Sequence, residues 1–491
     1  MSRPLVVSFV IASLTGALAT TQVSDGVRSE DERGEPLCRS DLTAVDDMTV
    51  GSIGGRVLDA SGKPLSNVLL SVFQRGFSQG RRELTPASLL ALPIGGHSAN
   101  ACTDSEGRFV VSRVLPGNYY LAAFAKLPAF EVRTAPVETD LVAFLYPGVA
   151  DIDSATVFTI AANGQSEITF TLRLPSLTTV RGIVVNAEGA AVRRGDVVAM
   201  PRGEVIPPNY LGANVRRGII RRDGRFTIEN LLPGDYSLRA NIHHEPEIES
   251  RFTPSPFTTV RVTGRDVANI RLTQPFLATV SGRVSFDQFA TRRLQAAEIQ
   301  LVTREWNRDD GWLFIGAMTG PPPYPRLNSH YSFAFETLPG AITLILAGPN
   351  PHFQSEWRLK SIRHNGVDMT DQPLQLPEGG LGDVEVELTN RYARVDGRLQ
   401  DPKAMTSNAR VLLFARDRAR WRLPFNQHFA VAVPTRHGSF TAVLPPGDYY
   451  AAAVQARSGM EWQDPEFLTK LIEHSTTFSA ALRDTVSIVV R

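Results

Sequence analysis

The chain has 491 residues, with 51 Lys plus Arg against 50 Asp plus Glu and a formal net charge of +1 at pH 7. So even a balance argues against a polyelectrolyte partner, and no nucleic acid is expected as a target. The length is too great for one small β-sandwich and suits four units of about 100 to 125 residues.

Residues 1–19 read as a secretory signal peptide. Arg3 gives the positive start, Leu5 to Leu18 the short apolar run, and Ala17-Leu18-Ala19 a small-x-small cleavage site. An uncleaved anchor is the alternative. No Cys follows the run, so a lipid anchor is not expected. No later stretch approaches the roughly 18 apolar residues of a membrane span. The mature chain is therefore expected to be exported, periplasmic or secreted. Residues 20–47 are polar and acidic without periodicity and read as a tether.

The first unit, 48–175, opens with a strand at Gly55-Arg56-Val57-Leu58-Asp59. A turn at Ser61-Gly62-Lys63-Pro64 leads into a second strand, Val68 to Phe73. A long polar segment, Gln74 to Asn100, follows. Then comes Asp104 to Ala122, DSEGRFVVSRVLPGNYYLA, and the alternating run Ser166 to Leu174 closes the unit. The second unit, 176–275, opens at Val180 to Val185 and continues with Asp196 to Met200. It carries the same phrase at Asp223 to Ala240 as DGRFTIENLLPGDYSLRA and closes with Asp266 to Leu272. The third, 276–390, opens at Val280 to Val284, with Glu298 to Thr303 as second strand. Its copy is worn, YSFAFETLPGAITLIL at Tyr331 to Leu346. Two strands about Asn365-Gly366 are expected next, and Asp383 to Leu388 closes. The fourth, 391–491, opens at Val395 to Leu399 and continues with Arg410 to Ala415. Its phrase is His437 to Ala452, HGSFTAVLPPGDYYAA. A turn or two of helix is expected over Phe467 to Glu473, and Asp484 to Val490 ends the chain.

One phrase written four times means four copies of one β domain. It reads as a hairpin. Pro presets φ at one turn position and Gly accepts positive φ at the next. The Tyr two residues after Gly (Tyr119, Tyr236, Tyr449) has the pattern of a tyrosine corner, a buried ring whose hydroxyl bonds nearby backbone. Ordinary core packing is the alternative. The third copy has Ile342 there and cannot make that bond. The predicted fold is all-β: four antiparallel sandwiches joined like beads by short linkers at Pro175, Gln274-Pro275 and Asn390-Arg391.

The combination of G-x-V, a D-x-x-G-R-F turn and L-P-G-x-Y resembles the carboxypeptidase regulatory-like domain family. The resemblance covers nearly all of the mature chain in four copies. It implies a prealbumin-like (transthyretin-like), Ig-like sandwich grouped with carbohydrate-binding-like folds. The fourth copy departs at Arg436-His437-Gly438 and Pro445, the third at its turn and Tyr. These motif residues belong to turns and core, so they imply a fold rather than a reaction. The family has no catalytic residues to transfer, and its members act as accessory domains or stand in tandem on exported bacterial proteins.

No catalytic site is expected. His244-Glu245-Pro246-Glu247 matches the short zinc motif H-x-x-E, but a peptidase would need a separate α/β domain that no segment supplies; a surface loop is the plainer reading. G-x-S-x-G, the P-loop and the dinucleotide fingerprint are absent. Asp104-Ser105-Glu106 and Asp151-Ile152-Asp153 could hold Ca²⁺, although Asp in tight turns usually caps its own backbone. Neither a cofactor nor a metal is expected. Cys38 and Cys102 suit one bridge in an oxidising compartment; two free thiols are the alternative. All five Trp lie in units three and four, and Trp306, Trp312 and Trp421 fall in the loop before the phrase. They could stack on sugar rings or anchor a protein partner, or could pack those loops onto the sandwich. The four arginines around Trp421 are either a solvated edge or a reader of anionic glycan. Expected partners are a polysaccharide or an envelope protein.

Overall fold

The computed structural model describes residues 50–491, apart from 79, 88–99, 131–139, 204–212, 244–251, 307–326, 348–355, 402–408, 424–425, 456–461 and 483. The described residues are almost all β, arranged as eight sheets that pair into four sandwiches. In each, the opening strand lies between two others of one sheet. Gly51–Asp59 lies between Arg108–Val114 and Gln165–Leu172; Thr178–Val185 between Arg225–Leu231 and Val267–Thr273. Ala278–Phe286 lies between Ser332–Thr337 and Leu381–Thr389; Ala393–Leu399 between Ser439–Leu444 and Thr485–Val490. The first neighbour is antiparallel every time and the closing strand is parallel every time. The parallel pair departs from the purely antiparallel sheets expected.

The second sheet of each sandwich pairs the second strand with the strand after L-P-G. The pairs are Leu69–Ser78 with Gly117–Lys126, Gly195–Pro201 with Gly234–His243, Gln300–Glu305 with Gly340–Ala347, and Ala409–Ala415 with Gly447–Gln455. The repeated phrase is therefore not a hairpin. Its two strands belong to opposite sheets, and L-P-G carries the chain across the core between them. A turn signature reports that the chain bends; it does not report which strand each arm will pair with.

The glycine of each opening strand and the Phe after the repeated turn are one device. Gly182, Gly282 and Gly397 stand opposite Phe226, Phe333 and Phe440 in register. A Cβ at Gly182 would come 2.6 Å from the Phe226 ring, and one at Gly397 would run into the ring of Phe440. The aromatic ring lies across the glycine of the neighbouring strand, so the strand is bare there by necessity. The worn third turn is rebuilt by different residues. Asn328 Oδ1 accepts from the amides of His330 and Ser332, much as Asp104 Oδ1 accepts from those of Glu106 and Arg108. Tyr331 takes φ of 61°, the place Gly fills elsewhere.

Each sandwich has its own apolar core between its two sheets, around Phe170, Phe226, Trp357 and Tyr449 respectively. Two further clusters cover outer sheet faces in the first and fourth sandwiches. In the first, the expected polar interruption supplies an extra strand, Arg81–Pro86, which extends the sheet beside Leu69–Ser78. In the fourth, the expected helical turns appear as the α-helix Pro465–Leu471 followed by the 3₁₀ turn Ile472–His474. The Asn365-Gly366 turn is also as expected, with φ of 50° and 77° at its two central positions.

Neighbouring sandwiches are docked rather than strung like beads. Leu232 enters the first core and Ala213 the first outer cluster. Buried Arg216 donates from Nη1 to the Leu141 carbonyl at 3.2 Å, and Ala143 N donates to Asn214 Oδ1 at 3.1 Å. Between the second and third, Arg239 pairs with Glu305 and lies over the Phe257 ring, 4.4 Å from its centroid. Between the third and fourth, Tyr392 Oη donates to the Leu359 carbonyl and Arg391 Nε to the Phe289 carbonyl, each at 3.3 Å. Most of these contacts are polar and the apolar ones are isolated side chains, so no apolar run in the sequence announces them.

Candidate functional site

Two of the three aromatic candidates, Trp306 and Trp421, are buried. Trp421 sits on the 3₁₀ segment Arg418–Arg422, whose start is capped by Asp417 accepting from Ala419 N at 3.0 Å. The segment folds back over the outer sheet face of the fourth sandwich. There Trp421 meets Phe414 edge-on at 5.6 Å, and its indole Nε1 donates to the Ala415 carbonyl at 2.6 Å. Only 2% of the residue is exposed. Trp462 and Leu468 complete the cluster. Trp306 is buried too, and its backbone amide donates to Ala341 O at 2.8 Å. Both residues are buried as placed, the arrangement that the packing alternative expects. A Trp whose polar tip finds a carbonyl can be buried at little cost, and the sequence does not disclose such an acceptor. Trp312 lies outside the described residues, as do His244 and Glu247.

Beside Trp421 is a polar cluster that the sequence does not announce. His428, buried in the fourth sandwich, places Nδ1 2.9 Å from Tyr449 Oη and 3.1 Å from Arg420 Nη1. Nε2 faces Asp371 of the third sandwich at 3.6 Å, and Arg420 Nε approaches the same carboxylate at 3.3 Å. Burial is the largest influence on Asp371 and pushes its pKa up. The hydrogen bond and charge of His428, with the charge of Arg420, outweigh it and hold the carboxyl below its ordinary 3.8. The cluster is a charged hinge pin between two sandwiches. Its signal in the sequence is thin: an Asp in a turn of one unit and a His in a loop of the next.

Tyr449 Oη donates to Pro445 O at 2.8 Å, and Tyr236 Oη to Leu232 O at 2.9 Å, both four residues back. Burial pushes the Tyr236 hydroxyl up to about 12, against the pull of Arg216 and the Leu232 bond. Tyr119 is likewise buried and its hydroxyl is pushed up by burial. The Tyr236 and Tyr449 hydroxyls fasten loops, and burial sets all three against ionisation.

The acidic turns bind backbone. Asp151 accepts from the amides of Asp153 and Ser154 and from Ser154 Oγ, and that side-chain bond does most to lower its pKa. Asp104 caps its own turn in the same way. Among the described residues no three His, Cys, Asp or Glu stand together as a metal site would require. Cys102 is disulfide-bonded, and Cys38 lies outside the described residues. Among the described residues, no helix is long and apolar enough to cross a membrane.

No family model matches the chain, and no curated protein matches it. Solved structures do. The Bacillus anthracis TIE protein is 10% identical over 86% of this chain and 68% of its own, with a TM-score of 0.16. The minor pilin of Streptococcus agalactiae is 14% identical over 46% of this chain and 96% of its own, with a TM-score of 0.23. A Pseudomonas aeruginosa protein provisionally assigned to carbohydrate binding is 15% identical over 20% of this chain and 90% of its own, with a TM-score of 0.16. Likeness at this level carries no argument about what the chain does.

Proposed function

We propose that this is an exported, non-catalytic scaffold of four regulatory-like sandwiches, at 48–175, 176–275, 276–390 and 391–491, that spaces or docks a component of the cell envelope. The observation that carries this is the fate of the polar and aromatic groups. Trp421, Tyr449, His428 and Asp371 are spent on fastening loops and neighbouring sandwiches to one another, which suits a rigid spacer. In this reading residues 1–19 direct export, and Cys38 is the partner of Cys102, tying the tether 20–47 to the first sandwich.

A second reading, binding of an anionic polysaccharide, is favoured by one observation. Arg416 and Arg418 are exposed and held over the Tyr450 and Trp421 rings, at 5.9 and 5.5 Å from the centroids. An arginine steadied on an aromatic face loses less freedom when it meets a sulfate or carboxylate.

A glycan array probed with the folded mature chain separates the two. The scaffold reading expects a blank on neutral and acidic glycans alike. A reproducible hit on acidic glycans, lost in Arg416→Ala/Arg418→Ala, overturns it in favour of the second. A hit that is lost in Trp312→Ala instead returns the role to the third-unit loop.

A further inference from the structure

The first and fourth sandwiches are the most distant in sequence, yet they touch. Arg82 lies on the extra strand of the first sandwich. Its Nε and Nη2 reach the two carboxylate oxygens of Asp464 at 2.9 and 3.3 Å, and Nη2 reaches Glu466 Oε1 at 2.6 Å. This is a two-pronged guanidinium–carboxylate fork, the geometry in which arginine is most specific. Asp464 is itself fixed. It caps the helix Pro465–Leu471, accepting from Glu466 N at 2.8 Å, and is only 9% exposed.

A second observation is independent of charge. Gly80, in the turn before Arg82, has φ of 82°, and a Cβ there would collide with the carbonyl oxygen of Arg422 in the fourth sandwich. The two backbones approach so closely that the position must be bare. Both contacts land on the same structure, the segment Arg418–Arg422 and the helix Pro465–Leu471, which are bound to each other through Trp421, Trp462 and Leu468. That outer cluster is the platform on which the first sandwich rests.

We propose that this contact is a clasp that closes the four sandwiches into a ring. The chain already docks first to second, second to third and third to fourth, so the ends are delivered to each other at high effective concentration. A contact too weak to hold two separate proteins can then hold the ring shut. The clasp is electrostatic and half-exposed, with Arg82 32% and Glu466 74% exposed at the side chain. It is therefore open to competition by salt. The clasp rests on these contacts alone and does not depend on the scaffold reading.

Small-angle scattering of the full mature chain tests it, with far-UV circular dichroism as the check that the sandwiches stay folded. A chain of this length packed to globular density has a radius of gyration of about 23 Å. The closed ring is expected somewhat above that value. Arg82→Glu sets like charges against each other. Gly80→Asn keeps the left-handed turn and drives a Cβ into Arg422. Each is expected to raise the radius by about a third as the ring opens towards a string. The wild type is expected to follow them in 1 M salt, where screening falls to about 3 Å, whereas Gly80→Asn should not respond. Identical scattering curves for wild type and both variants overturn the clasp, because the ring would then stand without it. A wild type already as extended as the variants overturns it as well.

Discussion

At the scale of single residues, one tightly constrained set is the glycines that face a ring. Gly397 is the sharpest case, since the Phe440 ring occupies the space a Cβ would need. Gly397→Ala is expected to cost about 1–3 kcal/mol, the usual range for overpacking a tight core. Gly379 has open space where a Cβ would stand and an ordinary backbone, so it is the control and should be near neutral as Ala. Urea midpoints of the two variants check this, and equal midpoints would dismiss the ring-on-glycine account. The residues of this device are partly legible in the sequence: G-x-V and G-R-F repeat in the first two units, and only the Gly and the Phe persist in the last. Their joint meaning is not, because strand register decides which Gly meets which Phe. Tyr236 and Tyr449 of the same phrase are readable further, since their bond partners lie only four residues away. The tryptophans look open in the sequence for the opposite reason. Trp421 finds its acceptor in Ala415 and its neighbours in Phe414 and Leu468, and only folding assembles them.

At the scale of elements, alternation locates the strands shared by the four units and turn chemistry the bends, while additional strands such as Leu141–Leu145, Arg216–Ile219 and Thr476–Ala480 go unread. The pairing partners are hidden. The L-P-G phrase reads as a hairpin because its turn residues are those of one, yet its arms enter opposite sheets. The strand Arg81–Pro86 escapes notice in the sequence because RRELTP is polar and alternates weakly. Its place at the sheet comes from pairing with Leu69–Ser78. Contacts between elements of different units are the least readable, and Asp371 with His428 is the one with a pH signature. A carboxyl whose folded pKa is lowered binds protons less readily when folded. Its stabilising contribution is full above the ordinary value of 3.8 and is lost as pH falls through and below it. Thermal midpoints of wild type and Asp371→Asn should therefore differ most near neutral pH and converge below about pH 3.8. A gap that widens on acidification would contradict the ion-pair role.

At the scale of the whole molecule, four copies of one sandwich are legible from repetition, and the docking between them is not. Arg82 and Asp464 are separated by 382 positions and carry no shared pattern. The same repetition has a mechanical side. In every sandwich the first and last strands lie side by side and run the same way. The chain thus enters each unit at one end of this pair and leaves at the other. A pull on the two ends loads the bonds between these strands in shear, so that they must fail together rather than unzip one by one. With the clasp opened in Arg82→Glu, single-molecule stretching should show four rupture events, each at the high force of a sheared strand pair. A gentle, low-force release would mean that some other part of the sandwich gives way first. An envelope spacer under tension would be only as strong as this one adjacency, and the chain repeats it in every unit.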